Sequence, residues 1–317
     1  MSVFRFVRGF TNRLRVPVRA GGAPAWPRRA VGIGVAALSV ACGSRVVDDT
    51  SSRRDDFGNP VPLGGRPTRI ISLIPTTTEL LFALGAGGRL VGRTHWDFYP
   101  DSARLVPDLG NGIRPNVEVL LGARPDLVVL YASADNREAA RAIRAAGVPV
   151  LALRVDLIAE FVRATETLGL VIGAEDRARA VIDSVTRSLA SVAAATAGLP
   201  RPSVFFLAYQ NPLLTIGGWS YLSQLVTIAG GRNVFADLPA PSPQVAFEEV
   251  LRRNPDHLVV SPATAAELRR PGRWQALPAV REGRLLIMDT TLVGRPGVRL
   301  GEAARSLARL LHPGTVR

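Results

Sequence analysis

Two α/β lobes of mostly parallel sheet, joined by one long α-helix, are what this sequence predicts, and three observations carry the prediction. Glu118-Val-Leu-Leu-Gly-Ala-Arg-Pro125-Asp126-Leu-Val-Val recurs 130 residues later as Glu248-Glu-Val-Leu-Arg-Arg-Asn-Pro255-Asp256-His-Leu-Val-Val. Short continuous apolar runs alternate with helix-period patterns in each half, as expected of strands covered on both faces. Between the halves, Glu175 to Ala197 runs 23 residues without Pro or Gly.

The elements follow in order. Arg69 to Leu73 reads as the first strand and Thr78 to Leu84 as the helix after it. In each copy of the repeat, Glu to Leu is a short helix, Pro-Asp is the turn that stops it, and an apolar strand follows: Leu127 to Leu130 in one copy, Leu258 to Val260 in the other. Arg137 to Ala146 has helical spacing, and Val148 to Leu153, Ser203 to Leu207 and Leu285 to Met288 are further strands. Ala86-Gly-Gly-Arg89 is echoed by Ala229-Gly-Gly-Arg232 at an offset of 143, so the two halves share an order of signals. The stretch 175–197 places Val181, Ile182, Val185, Leu189 and Val192 at helical spacing. As one helix it makes a stiff rod of roughly 34 Å that permits only small hinge motions.

The amino terminus has a different character. Seven arginines and no acid precede Cys42, and residues 30–41 are an apolar run of twelve directly after Arg28-Arg29. That run is too short to span a bilayer, which takes roughly 20 apolar residues. It fits the core of a secretory signal, and Ser39-Val-Ala-Cys42 resembles the lipobox of bacterial lipoproteins, in which the cysteine is acylated and becomes the first mature residue. The expected organisation is a signal peptide over 1–41, a polar tether over 42–54, an amino-terminal lobe over 55–173, a linking helix over 174–198 and a carboxyl-terminal lobe over 199–317. The tether would hold the body within about 20 Å of the membrane, on its periplasmic or exterior side.

Composition excludes several classes. All 39 basic residues are arginine; from Cys42 onward 32 of them face 26 acids, so the formal charge of +13 falls to +6 once the leader is gone. The remaining arginines are scattered among acids rather than set in a stripe with aromatics, which argues against a nucleic-acid partner. One cysteine rules out a disulfide framework and a multi-thiolate metal centre. No Gly-x-Ser-x-Gly elbow, P-loop or dinucleotide fingerprint is present, and Glu79 and Asp97 have no visible catalytic partner, so no enzyme is expected.

Arg69-Ile-Ile-Ser-Leu-Ile-Pro-Thr-Thr-Thr-Glu79, Leu90-Val-Gly, Tyr99-Pro100, Pro115-Asn-Val-Glu118 and Ala146-Gly-Val-Pro-Val stand in this order along the first half. Ala229-Gly-Gly-Arg-Asn-Val-Phe, Pro243-Gln-Val-Ala-Phe-Glu248 and Trp274-Gln-Ala-Leu-Pro-Ala-Val-Arg-Glu-Gly-Arg follow in the second. Together, from about Asp55 to Pro313, they resemble the substrate-binding proteins of ABC importers for vitamin B12, ferric siderophores and haem. The resemblance implies two Rossmann-like lobes bridged by one long helix, with a ligand held between them. It also implies a monomeric receptor without a cofactor of its own, whose bound ligand is an iron or cobalt chelate delivered to a permease dimer.

Residue by residue, the resemblance implies that Glu118 and Glu248, one per lobe, dock on arginines of the permease. Trp96 and Tyr131 match positions that carry cleft aromatics, Tyr209 and Trp219 lie in the corresponding loops of the second lobe, and Arg295 and Arg299 match a loop that sets arginine against a carboxylate. Thr76 and Thr77, after the first strand and before a helix, offer backbone donors to an anionic group. Ser242-Pro243-Gln244 lacks the aromatic that B12 receptors tend to carry before Pro-Gln, which does not favour cobalamin. The alternatives are a zinc or manganese receptor of similar architecture, which His95, His257 and His312 are too dispersed to support, and a ligand sensor without a permease.

Overall fold

The computed structural model describes residues 53–314. The leader, Cys42 and most of the proposed tether lie outside the described residues. The first lobe holds β1 (Ile70–Ser72), α1 (Pro75–Ala83), β2 (Leu90–Gly92), α2 (Val117–Gly122), β3 (Leu127–Tyr131), α3 (Arg137–Ala145), β4 (Val150–Leu153) and α4 (Ile158–Ile172). Its four strands form one sheet in the order β2-β1-β3-β4, every pair parallel. Helix α5 (Glu175–Ala195) leads to the second lobe, whose parallel sheet has the order β10-β9-β5-β8. Those strands are β5 (Ser203–Phe206), β8 (Arg232–Asn233), β9 (His257–Val260) and β10 (Leu285–Ile287). Around them lie the hairpin β6 (Tyr209–Gln210) and β7 (Leu213–Leu214), and helices α6 (Tyr221–Ile228), α7 (Phe247–Arg253), α8 (Pro262–Leu268), α9 (Pro278–Arg281), α10 (Thr290–Val293) and α11 (Leu300–Leu311). The antiparallel hairpin β6–β7 is an addition to the predicted parallel pattern.

Side chains of a strand point alternately to opposite faces, and here the alternation sorts them into separate cores. Val129, Leu151, Leu153, Val204, Phe206 and Val259 enter one apolar cluster that also takes in Ala178, Val185, Leu189 and Val192 of α5 and Leu300 to Leu311 of α11. Val128, Leu130 and Val150 face the other way, onto Ile143 of α3 and Leu120 of α2. Phe205, Leu258 and Val260 do the same in the second lobe, against Trp274 and Leu277. Helix α5 is therefore no bare connector. Its apolar stripe is built into a core continuous through both lobes, and it packs against α4 and α11.

The repeat now has a structural reason. In both copies the residue before the proline, Arg124 or Asn254, takes positive φ (50° and 39°), which ends the helix and turns the chain toward the strand. The aspartate that follows caps the start of the lobe's first strand. Asp126 accepts from Thr68 N and Oγ1 at 2.8 and 2.9 Å and from Arg69 N at 2.9 Å, while Asp256 accepts from Ser203 N and Oγ at 2.7 and 2.6 Å. Burial opposes ionisation of Asp126, but the bonds from Thr68 and Arg69 outweigh it and hold the carboxyl below its usual range. The Ser203 hydrogen bonds do the same for Asp256.

A depressed folded pKa means that each carboxylate stabilises the fold fully above about pH 4, where it is also ionised in the unfolded chain, and ceases to do so as pH falls through the lowered folded value. Asp126→Ala or Asp256→Ala is expected to cost roughly 1–2 kcal/mol at pH 7, discounted for solvent exposure. The deficit in urea unfolding should shrink toward zero in strong acid. The echo at 86–89 and 229–232 is less exact in space. The positive-φ glycine that ends the helix is Gly85 after α1 and Gly230 after α6, so the equivalent positions are 145 apart, and a short 3-10 turn at Gly87–Arg89 has no partner in the second lobe.

Candidate functional site

Parallel sheets bind ligands outside the carboxyl ends of their strands, and in this chain those ends face one another. The segment after β4 meets the start of α6, where Tyr221 N donates to Asp156 O at 2.6 Å and Ile158 N to Gln224 Oε1 at 2.9 Å. Helix α1 and the loop after β2 meet the loop between α10 and α11, where Arg299 Cζ lies 3.9 Å from the centroid of the Tyr99 ring. Large aromatic side chains stand exposed on the same loops: Trp96 (54%) after β2, Tyr209 (59%) in the hairpin after β5, and Trp219 (57%) before α6. Apolar area of that kind on a water-facing loop costs solvation unless something covers it. The His95 ring packs on Trp96 at 4.5 Å between centroids.

Beneath these loops lies a buried charged cluster. Glu79 on α1 has a side chain only 1% exposed, and its Oε1 is 3.8 Å from Arg295 Nη1 and 3.6 Å from Arg299 Nη2. Burial pushes the Glu79 carboxyl up, and the two guanidiniums pull it back. Asp97 is also buried and raised by burial, against hydrogen bonds from Thr94 N, Thr78 Oγ1 and Thr94 Oγ1 at 3.0, 3.0 and 3.1 Å. The phenol of Tyr221, itself buried and pushed up by that burial, donates to Val293 O.

Several of the expected ligand positions are already engaged within the protein. Thr76 and Thr77 are buried, and Thr77 already spends its N–H and its hydroxyl on Ile74 O at 2.9 Å, with Ser72 Oγ at 2.6 Å from that hydroxyl. Closing the first turn of α1 uses the Thr77 donors, which are therefore spent within the fold. Tyr131 is half-buried and donates to both Asp156 carboxylate oxygens at 2.7 and 2.8 Å. Burial and that carboxylate raise its phenol, which braces the segment entering α4 rather than standing free. Arg295 and Arg299 are only 13% and 19% exposed and turn toward Glu79 instead of open solvent. Sequence reasoning noted Glu79 without a partner and gave Tyr99, Asp156 and Tyr221 no role; for the burial of Glu79 the signal was a charge followed directly by the apolar run Leu80-Leu81-Phe82.

Glu118 and Glu248 occupy the first turns of α2 and α7, the equivalent helices of the two lobes, and both are exposed. Neither carboxylate has an ion-pair or hydrogen-bond partner among the described residues. Neighbouring Glu249 differs sharply: it accepts from Arg252 at 2.5 Å and Arg253 at 2.6 Å, which hold its carboxyl down to about 2. In α2 the first-turn donors are met by Asn116, whose Oδ1 accepts from Glu118 N and Val119 N, so the Glu118 carboxylate is not needed for capping. His257 in β9 and His312 after α11 lie far from the exposed aromatic loops in the chain order of elements, and no group of three His, Cys, Asp or Glu able to hold a metal ion occurs among the described residues.

The family model described as Periplasmic binding protein matches residues 70–292. The chain is a periplasmic binding protein. It is 30% identical over 255 residues, 80% of this chain and 92% of the relative, to the Vitamin B12-binding protein of Salmonella typhimurium (strain LT2). It is 29% identical over 273 residues, 83% of this chain and 86% of the relative, to an uncharacterized ABC transporter substrate-binding lipoprotein, YvrC, of Bacillus subtilis (strain 168). Among solved structures, the periplasmic heme-binding protein RhuT from Roseiflexus sp. RS-1 in apo form aligns with a TM-score of 0.69 at 26% identity, covering 77% of this chain and 97% of that one. The heme-binding protein BhuT in complex with two hemes aligns at 0.68 and 27% identity, covering 78% and 100%. The relatives of this periplasmic binding protein are thus transport proteins rather than enzymes, and no helix among its described residues is long and apolar enough to cross a membrane.

Proposed function

We propose that this periplasmic binding protein captures a metal chelate, a haem, cobalamin or ferric siderophore, between its lobes and delivers it to an ABC permease dimer. It does so as a monomer held at the membrane by a lipid on Cys42. The observation that carries the reading is the set of exposed aromatics on carboxyl-end loops of both lobes, Trp96 on one and Tyr209 and Trp219 on the other. Flat macrocycles and catecholates are bound through stacking and apolar area, which these side chains supply. The similarity to a B12-binding and a heme-binding protein supports a ligand of this class. Paired, unengaged glutamates on equivalent helices support delivery, because two charges fixed on one rigid body set register against a partner of two-fold symmetry.

Tryptophan fluorescence tests the ligand directly. Of the four tryptophans, Trp26 lies in the leader and Trp274 is buried, so in the mature chain a surface quench reports on Trp96 and Trp219. Titration with haemin, cyanocobalamin and a panel of ferric siderophores should give saturable quenching with one class. Trp96→Ala and Trp219→Ala should each weaken that binding by about tenfold to a hundredfold, the equivalent of roughly 1–3 kcal/mol of lost contact. No quenching by any of them would move the ligand outside the chelates.

A further inference from the structure

Helix α5 is the covalent link between the lobes, but the described residues also make a second link through buried charge. Glu79 belongs to the first lobe; Arg295 and Arg299 belong to the loop between α10 and α11 of the second, and both approach the same Glu79 oxygen. The loop backbone presses on the carboxylate, since a Cβ at Gly297 would come within 2.3 Å of Glu79 Oε2. Arg299 is held from both sides, by the Tyr99 ring of the first lobe and by Thr291 O of its own, at 2.9 Å. Two residues before Arg295, Val293 accepts from the Tyr221 hydroxyl, and Tyr221 N is the donor to Asp156 across the lobe boundary. The hydrogen bond from Tyr221 to Val293 therefore connects the backbone contact to the segment that carries the arginines of the charged cluster.

The energetics of this cluster are unusual for a mere brace. Glu79 Oε1, Arg295 Nη1 and Arg299 Nε are buried without a hydrogen-bond partner. Ion pairs beyond hydrogen-bond distance do not recover the desolvation of their charges, so they add little net stability; removing one partner, by contrast, leaves an uncompensated buried charge. We propose that Glu79 is a positioning residue whose charge, with that of buried Asp97, balances Arg295 and Arg299 and so latches the two lobes together in the ligand-free protein. The latch fixes the spacing of the aromatic loops. It goes beyond the receptor reading and does not depend on which ligand is bound.

Amide hydrogen exchange of the ligand-free chain tests it without any ligand, so failure of the ligand screen and failure of the latch are separate results. The amides of Tyr221 and Ile158 report lobe contact, because each donates across the boundary. Glu79→Gln should speed exchange at both by about tenfold or more, while amides of β3 and β5 change by no more than about twofold. Adding Arg299→Gln to that variant should bring both amides back to within about threefold of the parent, since the buried Asp97 carboxylate then faces Arg295 as its one counter-charge. Unchanged exchange at Tyr221 and Ile158, equal acceleration throughout β3 and β5, or a double variant as open as the single one would each overturn the latch. If Glu79→Gln fails to fold, Arg299→Gln reads the same contact from the other lobe, with the same outcomes decisive.

Discussion

Replacing Glu118 and Glu248 together by alanine is expected to abolish uptake of the ligand while leaving its affinity for the isolated protein unchanged. The two side chains stand exposed on equivalent helices, and neither is used by the fold, in contrast to Glu249 beside one of them. Removing them should therefore cost the fold only the helix-dipole contribution, a few tenths to about 1 kcal/mol each. At an interface with arginines, loss of two charge pairs at roughly 2 kcal/mol each lowers affinity for the permease by about a thousandfold. Each single replacement should show about half of that free energy, because the sites lie on different lobes and do not touch. Transport assays in cells, paired with ligand titration of the purified variant, separate the outcomes: full uptake with normal ligand affinity would remove the docking role.

The second large effect is expected at Asp55, whose side chain is 0% exposed. Asp55 is the hub that fastens the first described segment to the lobe. Its Oδ2 accepts from Arg144 Nη2 at 2.7 Å and Ala152 N at 3.2 Å, and its Oδ1 from Phe57 N at 3.0 Å and Asn59 N at 2.8 Å. Asp56 continues the attachment through Arg163 at 2.8 Å and Arg154 N at 2.6 Å. Asp55→Ala strips Arg144 of its counter-ion and leaves three N–H groups without their acceptor, so a loss of about 3–5 kcal/mol is expected. For a body of this size that corresponds to a fall in Tm of about 10 °C. Asp55→Asn, which keeps the shape and one acceptor, should lose less, and the order of the two in thermal and urea unfolding checks the assignment. A variant as stable as the parent would show that the strap is not held through this carboxylate.

Much of the fold was legible because the signals were local. Continuous apolar runs such as Leu127 to Leu130 announce strands buried on both faces, and the Pro-Asp pairs announce the turns before them. The repeat was legible as a pattern but not as a cause. That Asp126 and Asp256 cap the first strand of their lobe depends on Thr68 and Ser203, which are 58 and 53 positions away. The hairpin at Tyr209 to Leu214 escaped because two-residue strands carry no periodicity to read.

The site was less legible than the fold. Exposed aromatics and unpaired glutamates were picked out by type and position, whereas Thr76, Thr77, Tyr131, Arg295 and Arg299 were assigned without knowing what else would claim their polar atoms. A donor near a strand end is available to a ligand only if no protein group reaches it first, and that contest is decided by residues distant in sequence.

By itself, then, the sequence determined the elements, the two-fold repetition of the lobes, the helix between them, the expectation of a leader ending at Cys42 and the family to which the chain belongs. All of these rest on hydrophobic period, turn residues and short-range spacing, which act along the chain. Only the tertiary structure decided that α5 is built into a core shared by both lobes and that Glu79 faces Arg295 and Arg299 across the boundary. It also decided which polar groups are spent on the fold and which remain for a partner. Those outcomes depend on desolvation and on contacts between segments more than a hundred residues apart, and neither is written in local pattern.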